Sequence, residues 1–313
     1  MRGSRRVLAA VFSGVVLFGA GCGGNDLARR APQPPRTNTT AKIPVVSNPH
    51  LQAALLRSVA RTAAVKTTRT SISVTVTGVG DQALATGAFN IAGTGVVDFA
   101  NGNAHLSLSI PLFDQLGGGG VVEQRVVGGV VYTKLPADVL RVAALPAGVG
   151  WLRLDPRQAG AELSALSQAQ VDPAGQLAFL GAVSTDVRRI KAGSVRGVRT
   201  TRYTATIDLG STQPHVRDVS AVGEKLAPFG SMIGARRLPV DVWIDGSGRA
   251  RRVVVSVPLA PKSGTRAVAG LGAGAIMRIQ TDYYSFGAAV RVAAPPAAQV
   301  QPYSKLRIVA ANG

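Results

Sequence analysis

The sequence contains one cysteine, Cys22, among 313 residues. A single thiol excludes an intramolecular disulfide and a zinc site built from several cysteines. Histidine is also scarce, because only His50, His105 and His215 occur. No pair of them has metal-ligand spacing, and none accompanies a Gly-x-Ser-x-Gly nucleophile motif. We therefore expect neither enzymatic activity nor a bound cofactor or metal.

Aromatic and acidic side chains are few as well. Aromatic residues make up 5% of the chain although hydrophobic residues reach 46%, so the core volume must come mainly from Val, Leu and Ala. There are 35 Lys and Arg against 16 Asp and Glu, a net charge of +19. This charge favours anionic partners such as lipid headgroups, cell-wall polymers or nucleic acid, unless the cations are simply solvated. Nucleic acid fits least, because no aromatic residues interleave with a basic strand face.

Residues 1–21 have the organisation of an export signal. A basic start, residues 1–6, precedes an apolar run, residues 7–20, that is shorter than the about 20 residues of a membrane span. The small residues before Cys22 resemble a bacterial lipobox, although Gly19 stands where leucine is usual. The resemblance implies cleavage before Cys22, a diacylglyceryl group on its sulfur with palmitate as a typical acyl chain, and an extracytoplasmic location at the cell membrane.

A polar, proline-rich stretch follows the cysteine at residues 22–48. Such a composition buries little apolar surface and disfavours regular structure. We expect a flexible, lipid-anchored tether that holds a folded domain, residues 49–300, away from the membrane. Residues 301–313 would form a C-terminal tail.

Most of the domain alternates between apolar and polar residues with the period of a half-covered strand. In residues 238–257, two alternating stretches flank the turn sequence Asp245-Gly246-Ser247-Gly248. Asn101-Gly102 and Gly128-Gly129 mark further hairpins. The pattern therefore predicts one large antiparallel sheet. Other predicted strands are residues 70–77, 83–91, 95–99, 104–110, 121–127, 130–135, 151–154, a strand from about Ser184, 199–209 and one from Met277.

Helical periodicity is confined to a few segments. Asn48 is a suitable cap for a helix at residues 49–66. Its apolar stripe would comprise Leu51, Leu55, Val59 and Ala63. Asp155-Pro156 and Asp172-Pro173 are typical helix starts between two blocks of strands, so the helices that follow would cover one face of the sheet. These two helices are predicted at residues 158–169 and 174–182, and a third, short helix is predicted within 216–227.

Several features occur in a fixed order between residues 49 and 296. They are the hairpin at 126–132, Trp151, the two Asp-Pro helix starts, the strand at 195–203, the strand at 238–245 and the closing segment at 284–296. In this order they resemble the LppX/LprG-type lipoproteins of actinobacteria, relatives of the LolA/LolB carriers. The resemblance implies an α+β fold, a strongly curved antiparallel β half-barrel with α-helices plugging the open face. Insertions at 117–120 and 258–274 depart from compact members and leave the size and mouth of a cavity open.

The resemblance also implies a function. It predicts a membrane-anchored lipoprotein that binds a lipid, lipoglycan or acyl chain between sheet and helices, for transport or handling at the cell envelope. Each ligand CH2 removed from water would contribute roughly 0.8 kcal/mol. A membrane transporter is a further candidate partner. The candidate cavity residues are Val74, Val76, Leu106, Leu108, Tyr132, Leu177, Phe179, Leu180, Tyr203, Ile207, Val242, Trp243 and Ile244.

The sequence leaves alternatives for both the site and the function. Arg202, Arg251 and Arg252 could bind a charged headgroup at the rim or be solvated, and Trp243 could line a cavity or belong to a packed core. The alternative function is a surface-anchored interaction or sensing module that binds a protein or cell-wall polymer. A carrier needs an open apolar cavity, whereas such a module would have a packed interior.

Overall fold

The computed structural model describes residues 48–79, 90–111, 120–136, 145–155, 180, 186–208, 235, 237–259 and 271–305. These residues contain one α-helix, twelve strands and two short 3₁₀ turns at Ala297–Gln299 and Tyr303–Lys305. The helix and strands are α1 Pro49–Ala63, β1 Thr67–Val79, β2 Asn90–Asp98, β3 Asn103–Ser109, β4 Val121–Val127, β5 Val130–Lys134, β6 Trp151–Leu154, β7 Arg188–Val195, β8 Val198–Asp208, β9 Arg237–Asp245, β10 Ala250–Leu259, β11 Leu271–Tyr284 and β12 Val300–Pro302.

All twelve strands belong to one sheet, in the order β12-β6-β5-β4-β3-β2-β1-β11-β10-β9-β8-β7. Neighbours are antiparallel except for β12, which pairs in parallel with β6. The sheet is curved. It is also unclosed, because β7 and β12 end the order without pairing to each other. The predicted curved antiparallel sheet is therefore confirmed. The predicted helices at 158–169, 174–182 and 216–227 lie outside the described residues, apart from Leu180.

The hairpin turns lie where the sequence predicts them. Gly102 has φ of 64° between β2 and β3, and Gly128 and Gly129 have φ of 57° and 76° between β4 and β5. These left-handed conformations suit glycine because it has no Cβ. The predicted bounds of β4 and β6 are confirmed.

Other strand boundaries are corrected. The predicted strand at 95–99 is the end of β2, which already starts at Asn90. The predicted strand at 83–91 lies mostly outside the described residues. β7 begins at Arg188 rather than near Ser184, and β1 begins at Thr67, before the predicted start. Alternation marked these strands correctly but not the residues at which pairing begins.

The helix α1 begins as predicted but ends at Ala63. The Asn48 side chain accepts a hydrogen bond of 3.1 Å from the Leu51 N–H, which satisfies one of the free donors at the helix start. Leu55 is fully buried, and Leu51 and Val59 pack partly buried against the core. Ala63 is exposed, so the last member of the predicted stripe is wrong.

A threonine takes the buried position at the end of α1. Thr62 Oγ1 donates to the Ser58 carbonyl oxygen at 2.7 Å and accepts from the Ala250 N–H at 2.8 Å. Beside it, Arg61 Nη1 donates to the Ser247 carbonyl oxygen at 3.3 Å. Hydrogen bonds as well as apolar contacts therefore attach the end of the helix to the β9–β10 hairpin.

The core lies between α1 and the sheet face that α1 covers, which we call the inner face. The opposite side is the outer face. The larger core cluster contains Leu55 of α1 with aliphatic residues of β8, β9, β10 and β11. A smaller cluster joins Val97, Ala104, Val126 and Val131 of β2 to β5. Apart from Tyr283, the buried residues of both clusters are aliphatic, as the low aromatic content predicts.

Two glycines of β2 allow the β3 side chains to lie close over the sheet. Gly93 pairs with Leu108 and Gly95 with Leu106. A Cβ built on Gly95 would collide with the His105 carbonyl oxygen and lie 2.6 Å from Leu106 Cδ2. Glycine inside a strand commonly marks such a close approach or a bend. Glycine at these positions therefore leaves room for Leu106 and Leu108 of β3 to approach the β2 backbone.

Candidate ligand-binding face

Cross-strand pairing determines which predicted site residues share a face, since directly paired residues point to the same side. Val242 pairs with Tyr203 and Val253, and Val74 pairs with Ile279, so these belong to one continuous apolar surface. The candidates on this inner face are Val74, Val76, Leu106, Leu108, Tyr203, Ile207, Val242 and Ile244. The structure thus brings together eight of the predicted residues across the sheet.

Tyr132 and Trp243 are separated from this group. Tyr132 pairs with Arg125, and Trp243 pairs with Arg202 and Arg252, all on the outer face. Adjacent strand residues point to opposite faces, so a ligand that touches Val242 would not touch Trp243. We therefore exclude these two aromatic residues from the inner-face site.

The helical candidates can be placed only in part. Leu177 and Phe179 lie outside the described residues. Leu180 is fully buried and belongs to the same core cluster as Leu55 and Val242. Leu180 therefore packs on the inner face, while the helix predicted around it lies outside the described residues.

Burial varies along the inner face. Near the β9–β10 turn, α1 covers the sheet, and Val242 and Val253 are fully buried. Toward the opposite ends of the strands, Val74, Val76 and Met277 are only half-buried. These three residues are a candidate entrance for an apolar ligand. Met277 was absent from the predicted site, although its pairing with Val76 puts it there.

Two buried threonines of β1 also belong to the inner face. Thr68 Oγ1 donates to the Tyr284 carbonyl oxygen at 2.8 Å, and Thr70 Oγ1 donates to the Asp282 carbonyl oxygen at 3.0 Å. Both threonines are fully buried. Because their hydroxyl hydrogens are used by the backbone, they present mainly methyl groups and do not change the apolar character of this face.

The arginines considered for headgroup binding are instead paired with carboxylates. Arg202 donates to both oxygens of Asp241, at 3.1 and 2.9 Å. Arg252 does the same with Asp282, at 2.6 and 2.7 Å. The hydrogen bonds to Asp282 raise the pKa of Arg252 although burial opposes this. Trp243 lies between the two guanidinium groups, 5.2 and 5.8 Å from its ring centre.

The third of these arginines stabilises a turn. Arg251 Nε donates to Asp245 Oδ2 at 2.7 Å, while Asp245 Oδ1 accepts from the Ser247 and Arg249 N–H groups at 2.9 and 3.0 Å. Burial raises the pKa of Asp245, but the hydrogen bonds and charges of Arg249 and Arg251 outweigh it, so the pKa lies below its ordinary value. This carboxylate is structural rather than a free headgroup or metal ligand.

A similar cluster lies on the outer face of β3 and β4. Glu123 Oε1 lies 2.7 Å from Arg125 Nη2 and 2.9 Å from His105 Nε2. Burial raises the pKa of Glu123, but Arg125 first, then His105 and Lys134, lower it below the ordinary value. The Arg125 guanidinium lies 4.6 Å from the Trp151 ring centre. The side chains thus neutralise one another across the strands.

A groove of about 590 Å³ lies beside β12. Its lining residues include Pro146, Val300 and Lys305. It is not the cavity predicted between sheet and helices, whose helical wall lies outside the described residues. Within the part of the chain that the structure covers, no three His, Cys, Asp or Glu side chains form a metal cluster. No helix there is long and apolar enough to cross a bilayer.

No protein-family profile and no curated protein sequence match the chain. Among solved structures, it is similar to lipoprotein LppX from Mycobacterium tuberculosis, with 22% identity, a TM-score of 0.43, and coverage of 79% of this chain and 100% of that one. It is also similar to LprF from Mycobacterium bovis, with 16% identity, a TM-score of 0.40, and coverage of 80% and 98%.

A further match is a putative outer membrane lipoprotein-sorting protein domain from Vibrio parahaemolyticus, with 11% identity, a TM-score of 0.21, and coverage of 75% and 92%. The structures similar to this chain thus include LppX, a member of the group that its motifs resemble. Identity and TM-score are low in every case, so we base the functional proposal on the sequence and geometry of this chain.

Proposed function

We propose that this protein is a membrane-anchored extracytoplasmic lipoprotein that binds an apolar ligand, a lipid, lipoglycan or acyl chain, on the inner face of its sheet. The chain would be anchored through a diacylglyceryl group on Cys22, with residues 22–48 as tether. The activity that fits these residues is ligand binding without catalysis, for transport or handling at the cell envelope.

The observation that carries the proposal is the continuous apolar inner face. Met277 of β11 pairs with Val76 of β1 on one side and with Val257 of β10 on the other, so three strands present apolar side chains in one row. Carbon chains need no hydrogen-bond partners, and their transfer from water to such a surface contributes roughly 25 cal/mol per Å². The half-buried end of this row is where we place ligand entry.

One observation favours the alternative of a packed interaction module. Leu55 is fully buried against the cluster that contains Val242 and Ile244, so α1 and the sheet are in direct contact there. A ligand would therefore not lie beneath α1. This restricts our proposal to the half-buried end around Val74, Val76 and Met277, away from the β9–β10 turn.

A photoactivatable fatty acid tests this placement. The full chain in membranes is irradiated with a diazirine-bearing fatty acid, and the labelled peptides are identified by mass spectrometry. We expect labelling at Val74, Val76 and Met277. Val76→Asp should reduce it about tenfold, because a carboxylate in an apolar contact loses solvation without a partner.

Thr75→Asp is the matched control, because Thr75 is the neighbouring residue of β1 on the outer face, paired with Arg278. It places the same charge one position away and should keep the labelling. Melting temperatures of both variants show whether each is folded. Absence of labelling in folded wild-type protein, or labelling confined to the outer face, would favour the interaction module.

A further inference from the structure

The strand β7 forms one edge of the sheet, beside β8, and carries cations that are not paired with carboxylates of the described residues. Its side chains from Arg188 to Ser194 are all exposed, and they include Arg189 and Lys191. No ion pair joins these three cations to a carboxylate of the described chain. By contrast, Arg202 on the adjacent strand is held by Asp241 at 2.9 Å. Among the residues that the structure describes, no carboxylate neutralises the positive charge of this edge.

Neighbouring residues extend this basic surface. Arg199 of β8 is exposed and pairs with Ser194. Arg196, in the turn between the two strands, adds less free charge, because its Nε lies 3.8 Å from Asp282 Oδ2 and its guanidinium lies 4.0 Å from the Tyr284 ring centre. The nearby carboxylate of Asp186 is already engaged, since Thr206 Oγ1 donates to it at 2.9 Å and Arg237 Nη2 lies 3.7 Å away. The charges are thus continuous along the edge.

An apolar side chain projects from the middle of these cations. Ile190 is 50% exposed, among the most exposed large hydrophobic residues of the described chain. It lies where the pairing of β7 with β8 shifts register, between Arg189 and Ala192. Bulges and charges at a sheet edge oppose the addition of another strand. The partner of this edge is therefore not a further β-strand.

We propose that the β7 edge, defined as Arg188, Arg189, Ile190, Lys191 and Arg199, docks against the anionic surface of a lipid bilayer. Arg188 pairs with Thr204 of the outer face and Arg189 with Tyr203 of the inner face, so cations project on both sides of the strand. This arrangement suits edge-on contact with a flat charged surface. Guanidinium and ammonium groups bind lipid phosphates, while Ile190 enters the headgroup boundary.

This inference is independent of whether the inner face holds a ligand. Cations near an anionic membrane surface each strengthen binding by about fivefold, and the attraction falls off within a Debye length. The contact should therefore require anionic lipid and weaken with salt. A purely apolar contact through Ile190 alone would depend on neither.

A local fluorescent probe tests the docking in the full chain. Cys22→Ser removes the native thiol, and Ile190→Cys is labelled with a nitrobenzoxadiazole dye. Vesicles contain phosphatidylcholine, with or without phosphatidylglycerol, and a trace of nitroxide-bearing lipid. We expect a shift of emission to shorter wavelength and quenching only on the phosphatidylglycerol vesicles, both reversed by about 0.5 M NaCl. The same dye on Ser107→Cys, exposed on β3, should respond to neither vesicle.

Charge variants then test the named residues. Replacing Arg188, Arg189 and Lys191 together by Gln in the Ile190→Cys protein should weaken its lipid affinity, measured by quenching of the dye, by on the order of a hundredfold. The control replaces the exposed Arg57, Arg69 and Lys134 by Gln, an equal loss of charge elsewhere, and should change it little. Equal losses in both triple variants, equal responses on both vesicles, or a dye that stays in solvent would overturn the proposal. So would a shift that appears without vesicles as the protein is concentrated, which indicates self-association.

Discussion

The inner and outer faces of β8 to β11 consist of alternate residues from the same strands, yet they are stabilised in different ways. On the inner face, Val242 and Val253 are fully buried in an aliphatic cluster under α1. On the outer face, Trp243 lies between two arginines that are each paired with a carboxylate. The helix α1 covers the inner face, whereas side chains of the sheet itself cover the outer face.

The comparison shows that neither tryptophan of this chain lies on the inner face. Both tryptophans carry guanidinium groups over their rings, Arg125 at 4.6 Å from the Trp151 centre and Arg202 at 5.2 Å from the Trp243 centre. The arginine stems exclude water from the rings while their charges stay accessible. The inner face is mainly Val, Leu and Ile, with Tyr203 and Tyr283 among them, and its aliphatic side chains pack without directional contacts and suit an apolar ligand.

The largest expected effect breaks the inner face at β2. Gly95→Val would force a branched Cβ against the His105 carbonyl oxygen and Leu106 Cδ2, and backbone atoms there cannot move aside easily. We expect a loss of about 3 kcal/mol in the free energy of unfolding, as for overpacked cores. Urea denaturation measures this loss.

Gly193→Val is the control for that substitution. Gly193 is also a strand glycine, but it lies on the exposed edge β7, and a Cβ there meets no atom within 4 Å. We expect a change of about 0.5 kcal/mol or less. Similar losses in the two variants would mean that strand propensity, rather than the close approach of β3, explains Gly95.

The sheet, its hairpins and the sidedness of most strands could be predicted from the sequence, because period-two alternation and turn glycines are local signals. In β9, Val240, Val242 and Ile244 are buried as the alternation predicts. Tyr132 and Trp243 lie on the outer face although they are apolar, because their positions along the strand pair them with Arg125 and with Arg202 and Arg252. Because Trp243 directly follows Val242 in the strand, alternation alone places its side chain on the opposite face from Val242.

The pairing of charges could not be predicted in the same way. Arg202 and Asp241 are far apart in sequence and meet only because β8 and β9 pair with one register. A shift of one residue would send the arginine to the other face. For the same reason, the importance of Gly93 and Gly95 depends on which β3 residues lie opposite them. Register is a property of the folded sheet, and no local pattern encodes it.

A smaller effect concerns the β9–β10 turn, which Asp245 stabilises. Asp245→Asn keeps an oxygen for the Ser247 and Arg249 N–H groups but loses the charged acceptor of Arg251. We expect a loss of about 1–2 kcal/mol at pH 7, typical of a hydrogen bond between charged groups. Chemical denaturation of both proteins at several pH values measures it.

The pH dependence of this loss follows from the lowered pKa of Asp245. A carboxyl whose folded pKa is depressed stabilises the fold fully above its unfolded value, here 3.8, and this contribution disappears as the pH falls through the folded pKa. Wild type and Asp245→Asn should therefore differ at neutral pH and converge toward about pH 2. A difference that persists in acid would show that the variant distorts the turn by shape rather than by charge.

The smallest effect concerns the outer face, at Arg202. Its side chain is 41% exposed and pairs with Asp241, so Arg202→Gln should cost only about 0.5 kcal/mol, most of it from the lost contact with Trp243. Arg237→Gln is the control, because Arg237 is 57% exposed, lies 3.7 Å from Asp186 and has no tryptophan beneath it. Its substitution should cost less, and high salt should reduce the cost of either. If Arg202→Gln costs several times more than this and also increases the accessibility of Trp243 to acrylamide, then the arginines cover the outer face as the helix covers the inner one, and the two faces are equally dependent on their cover.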